Sequence, residues 1–189
     1  MGFTDSVLMH MFGHPKGLLG RLGGRLMEGK GEVYRWVLTL LAVKPTDHIL
    51  EVGFGPGVGI KCAAEATPNG FVAGVDYSEV MLHQARKRNA AAIQAGRVAL
   101  MHGSATALPH KDQCFDKALS VNSLHLWPDA IQGLREMWRV LKPGGSVAIM
   151  FTPHAKQSGE RLVGMLTQAG FQQAHLEKSG LGVCALAHK

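Results

Sequence analysis

The chain has 189 residues, of which 46% are hydrophobic and 18% charged, and this composition indicates one globular domain rather than a disordered chain. No apolar run reaches the roughly 18 residues of a membrane-spanning helix, and residues 1–10 contain no signal peptide. The three widely spaced cysteines form no disulfide framework, so we expect a protein of the reducing cytoplasm. The net charge of +6 is compatible with anionic small molecules, anionic lipid or nucleic acid, and it selects none of them.

The first 43 residues are predicted to form a helical lid or cap that precedes the main domain. Residues 31–43 have apolar side chains at helical spacing, which predicts an amphipathic helix over the sheet, with a buried face of Val33, Trp36, Val37, Leu40 and Leu41. Tyr34 falls outside that face, and we consider it a candidate to point into a substrate site.

The segment 17–27 combines glycines with leucines and arginines, and two interpretations of it are open. It is either a flexible lid that packs over a pocket when a ligand binds, or an amphipathic element in peripheral contact with an anionic membrane. We favour the lid, because each glycine inside a helix costs about 1 kcal/mol relative to alanine and weakens a free helix on a membrane.

From residue 44 to residue 189, short apolar runs alternate with amphipathic segments. Strands are predicted at 48–53, 71–75, 97–101, 115–121, 146–151, 173–178 and 182–187. Helices are predicted at 59–66, after the N-cap Ser78, at 128–141 and at 159–169. This order predicts a Rossmann-like, doubly wound α/β domain, with a mostly parallel seven-stranded sheet and helices on both faces. The short link 179–181 permits a hairpin, so one edge strand is expected to be antiparallel.

A glycine-rich loop, EVGFGPGVG at 51–59, follows the first strand and precedes a helix. Glycine at a strand exit lets the backbone approach a ligand closely, and a helix N-terminus offers N–H groups to an anionic group. The dinucleotide pattern G-x-G-x-x-G does not fit, because its third glycine would fall at Val58 or Ile60. An NAD-dependent dehydrogenase therefore remains only as a weaker alternative.

Asp76 ends the second predicted strand. A carboxylate at this position can accept both hydroxyl groups of a ribose, and it would repel a phosphate placed on that ribose. Tyr77 follows it and is a candidate to lie against an adenine ring.

Five motifs in this order resemble those of class I S-adenosylmethionine-dependent methyltransferases of the broad small-molecule, UbiE-like type. They are EVGFGPGVG at 51–59, GVDYSEVML at 74–82, GSATALP at 103–109, FDKALSVNSLHLW at 115–127 and LKPGGSVAI at 141–149. The resemblance covers roughly residues 44–189, and it implies S-adenosylmethionine as the cofactor and S-adenosylhomocysteine as its product.

The resemblance also implies where the cofactor is held. Its methionine part would lie against Glu51, Gly53, Gly55 and Gly57. Its ribose would be bound by Asp76, with Tyr77 near the adenine. The family often has aspartate at the position of Ser104, so this serine is a departure, and the backbone N–H of Ala105 is left to contact the adenine.

Residues 122–127, after the fourth strand, are expected to flank the cofactor and line the acceptor pocket. Asn122 is assigned to the cofactor, and Ser123 opens towards the acceptor. His125 is either a general base or a histidine that bonds nearby backbone, and the two interpretations have equal weight. Trp127 is a candidate substrate contact, although packing is the commoner role of a tryptophan here.

No metal site is expected. Cys62, Cys114 and Cys184 form no CxxC pair, and the pair His10 and His14 lacks an acidic partner.

The predicted activity is in-line transfer of a methyl group to nitrogen, oxygen or sulfur of a small-molecule acceptor. Two alternatives stay open: a phospholipid N-methyltransferase at a membrane surface, and a protein that binds S-adenosylmethionine without transferring its methyl group. A nucleic-acid partner is not expected, because the chain lacks a [DN]PP[YF] motif, a Pro-Cys nucleophile and a basic run with interleaved aromatic residues. The oligomeric state is left open.

Overall fold

A computed structural model describes residues 31–155 and 159–189. The helices in these ranges are α1 (Gly31–Leu40), α2 (Val58–Ala66), α3 (Glu79–Arg88), α4 (Ala90–Gln94), α5 (Ala130–Val140) and α6 (Gly159–Gln168). The strands are β1 (His48–Val52), β2 (Phe71–Asp76), β3 (Val98–His102), β4 (Phe115–Val121), β5 (Leu141–Phe151), β6 (Gln172–Ser179) and β7 (Gly182–His188). The segment 17–27 lies outside the described residues, and no described helix has the length and apolarity to cross a bilayer.

The seven strands form one sheet in the order β3-β2-β1-β4-β5-β7-β6, which confirms the predicted doubly wound fold. Strands β1 to β5 pair in parallel, and β7 pairs antiparallel with both β5 and β6. The antiparallel strand is therefore β7, one place in from the edge. It follows β6 through a short hairpin, as the link at 179–181 predicted.

Helices cover both faces of the sheet, because the parallel strands are apolar on both sides. Helices α1, α2 and α3 pack on one face, where Ile49 of β1 points. Helices α5 and α6 pack on the other face, against Leu50 and Val52. The alternation of these three neighbouring side chains is that of an extended strand buried on both sides.

Helix α1 is rotated relative to the face that its apolar residues predicted. Its buried residues include Tyr34 and Leu38, whereas Trp36 and Leu40 are only partly buried at the margin of the core. The rotation turns Tyr34 towards Gly59 of α2, where the missing side chain leaves room for an aromatic ring. The expectation overstated the burial of Trp36, which packs against the margin of the core and is only partly buried.

Helix α5 and the start of β5 also differ from expectation. The helix ends at Val140, and the strand begins at Leu141 instead of residue 146. Trp138 of this helix is exposed, and the centroid of its ring lies 4.0 Å from the Lys189 ammonium nitrogen. This contact is a cation–π interaction that no local spacing indicates.

Leu134 is the apolar anchor of α5, because its side chain is completely buried. Leu134→Ala is expected to lower the free energy of unfolding by about 2–5 kcal/mol, since a cavity adds to the lost transfer energy. Ile131→Ala, on the same helix at a half-buried position, is the control and should cost less than half as much. Urea unfolding measures both values, and equal losses would contradict the helix orientation described here.

Candidate active site

The carboxyl ends of β1, β2, β4 and β5 meet at one edge of the sheet. The chain leaves β1 towards β2 on one side, while β4 pairs with β1 on the other side, so β1 and β4 form the topological switch point. Open α/β sheets bind their ligands in the crevice outside this point. The glycine loop, Asp76 and Asn122 all lie there.

The glycine loop after β1 is held by contacts that exclude side chains. Gly53 has a φ of +77°, and a Cβ on it would lie 1.8 Å from the Ser123 hydroxyl oxygen. Gly57 has a φ of +81°, and a Cβ on it would lie 2.7 Å from the Ala85 methyl carbon. Helix α2 begins after Gly57 without a side-chain cap, so its first N–H groups have no side-chain acceptor at this end.

Backbone and side-chain hydrogen bonds tie this loop to β2 and α3. The Gly53 N–H donates to the Val75 carbonyl oxygen at 2.8 Å. The Asn89 amide donates to the Gly57 carbonyl oxygen at 3.0 Å and to the Ala85 carbonyl oxygen at 2.9 Å. Sequence reasoning missed this role of Asn89, which is a buried amide 32 residues away in the chain.

Asp76 is positioned at the end of β2 with its carboxylate turned towards the glycine loop. One oxygen accepts the Gly55 N–H at 2.8 Å, and the other accepts the Ser78 N–H at 2.8 Å. Burial raises the pKa of Asp76, and these two N–H groups oppose part of the rise. Each oxygen retains capacity for one more donor, so the carboxylate can bind two adjacent hydroxyl groups.

Glu51 lies inside β1 and is 0% exposed. Neither of its carboxyl oxygens has a hydrogen bond of standard geometry to a described residue. Burial raises the pKa of Glu51 well above its ordinary value, the charge of Asp76 raises it further, and the Tyr34 hydroxyl opposes part of this rise. A buried carboxyl of this kind fits a site that receives a cationic ligand group.

The part of the site that was expected to bind adenine contains the exposed ring of Tyr77 and a turn closed by hydrogen bonds between Ser104 and Thr106. Tyr77 is 66% exposed, and its ring centroid lies 5.8 Å from that of His102. The Ser104 hydroxyl bonds the Thr106 hydroxyl at 2.8 Å and accepts the Thr106 N–H at 3.2 Å. The Ser104 side chain is thus engaged within its own turn, beside the buried Ala105.

Asn122 follows β4 in a left-handed conformation with a φ of +53°. Its side-chain oxygen accepts the Thr152 N–H at 2.9 Å, and its amide donates to the Thr152 hydroxyl at 3.0 Å. These bonds join the ends of β4 and β5 where the two loops diverge. The structure therefore gives Asn122 a bracing role that sequence reasoning missed, because Thr152 is 30 residues further along the chain.

Ser123 and Trp127 form a packed unit against the glycine loop. The indole N–H of Trp127 donates to the Ser123 hydroxyl at 2.7 Å. The Trp127 ring lies against Gly133 of α5, where a Cβ would be 2.4 Å from the ring. Both contacts agree with packing as the role of Trp127, and its contact with substrate stays a prediction.

His125 is the exposed residue of a short 3₁₀ turn, Leu124–Leu126, whose Leu124 is buried. Its ring centroid is 5.4 Å from that of Phe151, which is the last residue of β5. Partial burial lowers the pKa of His125, so its imidazole is neutral near pH 7 and able to accept a proton. The structure thus places the ring beside the end of β5, and a role for His125 as a general base stays a prediction.

The comparisons with known proteins agree with this geometry. The family model described as a methyltransferase domain matches residues 49–145. Over 181 residues the chain is 31% identical to the uncharacterized methyltransferase YdaC of Bacillus subtilis (strain 168), covering 89% of this chain and 98% of that protein. The chain belongs to the class I S-adenosylmethionine-dependent methyltransferases. Membership of this family rules against the alternative of an NAD-dependent dehydrogenase. The cofactor of this enzyme is S-adenosylmethionine.

Two further similarities extend this assignment. The methyltransferase is 38% identical over 127 residues to the demethylmenaquinone methyltransferase of Listeria monocytogenes serotype 4a (strain HCC23), which covers 67% of this chain and 53% of that protein. It therefore spans about half the length of these relatives. A crystal structure of a SAM-dependent methyltransferase from Aquifex aeolicus has a TM-score of 0.72 at 20% identity, covering 82% of this chain and 87% of that one. At that identity the likeness supports the fold alone.

The buried carboxyl of Glu51 gives a testable pH dependence of stability. Its pKa is raised by folding, so it disfavours the folded state increasingly as the pH rises above the ordinary value for glutamate, near 4.3. Glu51→Gln has no ionisable group, so we expect it to match the cofactor-free wild type near pH 4.5 and to exceed its unfolding free energy by at least about 1 kcal/mol at pH 8.

Thermal and urea unfolding across this pH range test the expectation. Glu65→Gln, which removes an exposed glutamate from α2, is the matched control and should show no comparable gain. A difference between Glu51→Gln and wild type that stays constant or shrinks as the pH rises would contradict an environment that disfavours the carboxylate.

Proposed function

We propose that this methyltransferase binds S-adenosylmethionine across the carboxyl ends of β1 and β2 and transfers its methyl group to nitrogen, oxygen or sulfur of a small molecule. The main support for this proposal is the pair of carboxyl groups on either side of the glycine loop. Glu51 lies within β1, and Asp76 ends β2, which pairs in parallel with β1. Between them, Gly55 has no side chain, and no atom lies within 4 Å of where its Cβ would be, so a ligand can come close to the backbone there.

The residues present fit the cofactor. Glu51 would accept its ammonium group, because the buried carboxyl lacks another cationic partner among the described residues that act on it. Asp76 would accept the two ribose hydroxyl groups, with Tyr77 beside the adenine. The uncapped first turn of α2 suits the cofactor's carboxylate. The Ala105 N–H is assigned to the adenine, since the Ser104 hydroxyl is already engaged by Thr106.

The chemistry asks little of the chain beyond positioning. Bound S-adenosylmethionine supplies a methyl group already activated by its sulfonium centre. The chain has to hold the acceptor in line with that group and exclude water. An amine or thiolate acceptor needs no strong base, whereas a hydroxyl acceptor would lose its proton to a base such as the neutral imidazole of His125. Ser123 and Asn122 would shape the wall between acceptor and cofactor.

A small-molecule acceptor is supported by the similarity to demethylmenaquinone methyltransferases, proteins named for a small-molecule substrate. Phospholipid methylation depends on the segment 17–27, which lies outside the described residues. We place the enzyme in the cytoplasm on the strength of its unpaired thiols, because Cys62, Cys114 and Cys184 are all free.

Calorimetric titration tests the cofactor site. We expect S-adenosylmethionine and S-adenosylhomocysteine to bind wild type with micromolar affinity, and Asp76→Asn to weaken both at least tenfold, since one buried charge-assisted hydrogen bond contributes about 1.5–3 kcal/mol. Asp112→Asn, which removes an exposed carboxylate at the opposite edge of the sheet, is the control and should bind like wild type. Equal binding by all three proteins would contradict the assignment of Asp76.

Transfer of a labelled methyl group to a panel of quinol, amine, thiol and phenol acceptors, with phospholipid vesicles assayed in parallel, tests the reaction. Transfer to at least one of these acceptors is expected. Tight binding without transfer to any of them would favour the non-catalytic alternative, and transfer confined to phospholipid vesicles would favour the membrane alternative.

A further inference from the structure

Tyr34 and Glu51 form a buried pair that the methyl-transfer chemistry itself does not require. Tyr34 is 5% exposed and Glu51 is 0% exposed. A Cβ built on Gly59 would lie 2.3 Å from the Tyr34 ring carbon Cε1 and 2.5 Å from each Glu51 carboxyl oxygen. The ring and the carboxyl therefore lie side by side over the first turn of α2, where only glycine leaves room for both.

Tyr34 lies on a helix that precedes the part of the chain matched by the methyltransferase family model. Helix α1 spans Gly31–Leu40, whereas the family match begins at residue 49. Val33, Val37 and Leu38 are buried with Tyr34 in the core cluster that joins α1 to α2 and the sheet. Tyr34 is thus a buried partner of the Glu51 carboxyl, beside the proposed position of the cofactor.

The surroundings of Glu51 favour its neutral form. Desolvation and the charge of Asp76, which faces it from β2, both disfavour the carboxylate. Tyr34 faces it from α1 and stabilises the carboxylate in part. Cys62 of α2 also interacts with this pair, and burial raises the pKa of its thiol, so it supplies no proton near neutral pH. Among the described residues that act on Glu51, none is a cation.

We propose that the cofactor-free enzyme holds the Glu51 carboxyl neutral, that binding of the cofactor's ammonium group releases its proton to solvent, and that Tyr34 is a positioning residue whose hydroxyl stabilises the carboxylate formed in this step. In this step the O–H bond of Glu51 breaks, the proton passes to a buffer base, and the new carboxylate pairs with the ammonium group. Tyr34 keeps its own proton and donates a hydrogen bond to that carboxylate. The inference rests on the proposed assignment of Glu51 to the cofactor's ammonium group.

Two consequences can be measured. Cofactor binding should release about one proton per site below the midpoint at which free Glu51 ionises, and affinity should rise about tenfold per pH unit across that window. Tyr34→Phe removes the hydroxyl that stabilises the carboxylate, so its midpoint should move to higher pH, with affinity recovered above that midpoint as long as the ligand's ammonium group stays protonated. A purely structural role for Tyr34 would lower affinity by the same factor at every pH.

Titration calorimetry with S-adenosylhomocysteine, in three buffers of different ionisation enthalpy between pH 5.5 and 9, gives the proton count and the affinity. We expect wild type and Thr39→Ala to release the same number of protons, because Thr39 bonds only the Arg35 carbonyl on the exposed face of α1. We expect Glu51→Gln, titrated at higher ligand concentration, to release none.

The outcomes separate this inference from the proposed function. Absence of binding by wild type would contradict the proposed function itself. Binding without proton release, or release that persists in Glu51→Gln, would overturn the proton-release inference and leave the cofactor assignment standing. If Glu51→Gln fails to bind, the Tyr34→Phe pH profile decides: a shifted midpoint supports the inference, and a uniform loss of affinity overturns it.

Discussion

The site depends on a backbone that must pass between neighbours where no Cβ fits. At Gly53 a side chain would overlap Ser123, at Gly57 it would overlap α3, and at Gly59 it would overlap Tyr34 and Glu51. These three positions allow the end of β1, the start of α2 and the loop after β4 to converge at the switch point of the sheet. The close approach brings the Glu51 carboxyl of β1 and the Asp76 carboxylate that ends β2 to the same end of the sheet.

The same crowding explains the unusual state of Glu51. Helix α1 and the first turn of α2 remove water from the carboxyl without supplying a cation among the residues that act on it. Asp76 accepts hydrogen bonds from two backbone N–H groups, which stabilise its carboxylate, so it ionises more readily than Glu51. The two carboxyl groups are therefore suited to different ligand groups. Asp76 can accept hydrogen bonds from neutral hydroxyl groups, and Glu51 can pair with a cationic group.

Much of the fold was predictable because its strands and helices are locally consistent. Periodicity located β1, β2 and β4 nearly to the residue, and Ser78 caps α3 through its hydroxyl as expected. The glycine loop and Asp76 were predictable because the glycines of the loop are close together in the sequence and Asp76 directly ends a predicted strand.

The remainder depends on contacts between distant segments, which no spacing encodes. The bracing of Asn122 by Thr152 spans 30 residues. The rotation of α1 follows from the space above Gly59 and not from the pattern of apolar residues, so the burial of Tyr34 was missed while that of Trp36 was overstated. The identity of the methyl acceptor is harder still to predict from the sequence, because it depends on the shape of a pocket that several loops form together.

A crystal structure of the enzyme with S-adenosylhomocysteine tests the central claim most directly. We expect the ribose hydroxyl groups within hydrogen-bond distance of the Asp76 carboxylate and the ammonium group beside Glu51, with the glycine loop in its present conformation. A ligand whose ribose lies away from Asp76, or whose ammonium group is bound elsewhere while Glu51 stays enclosed, would contradict it.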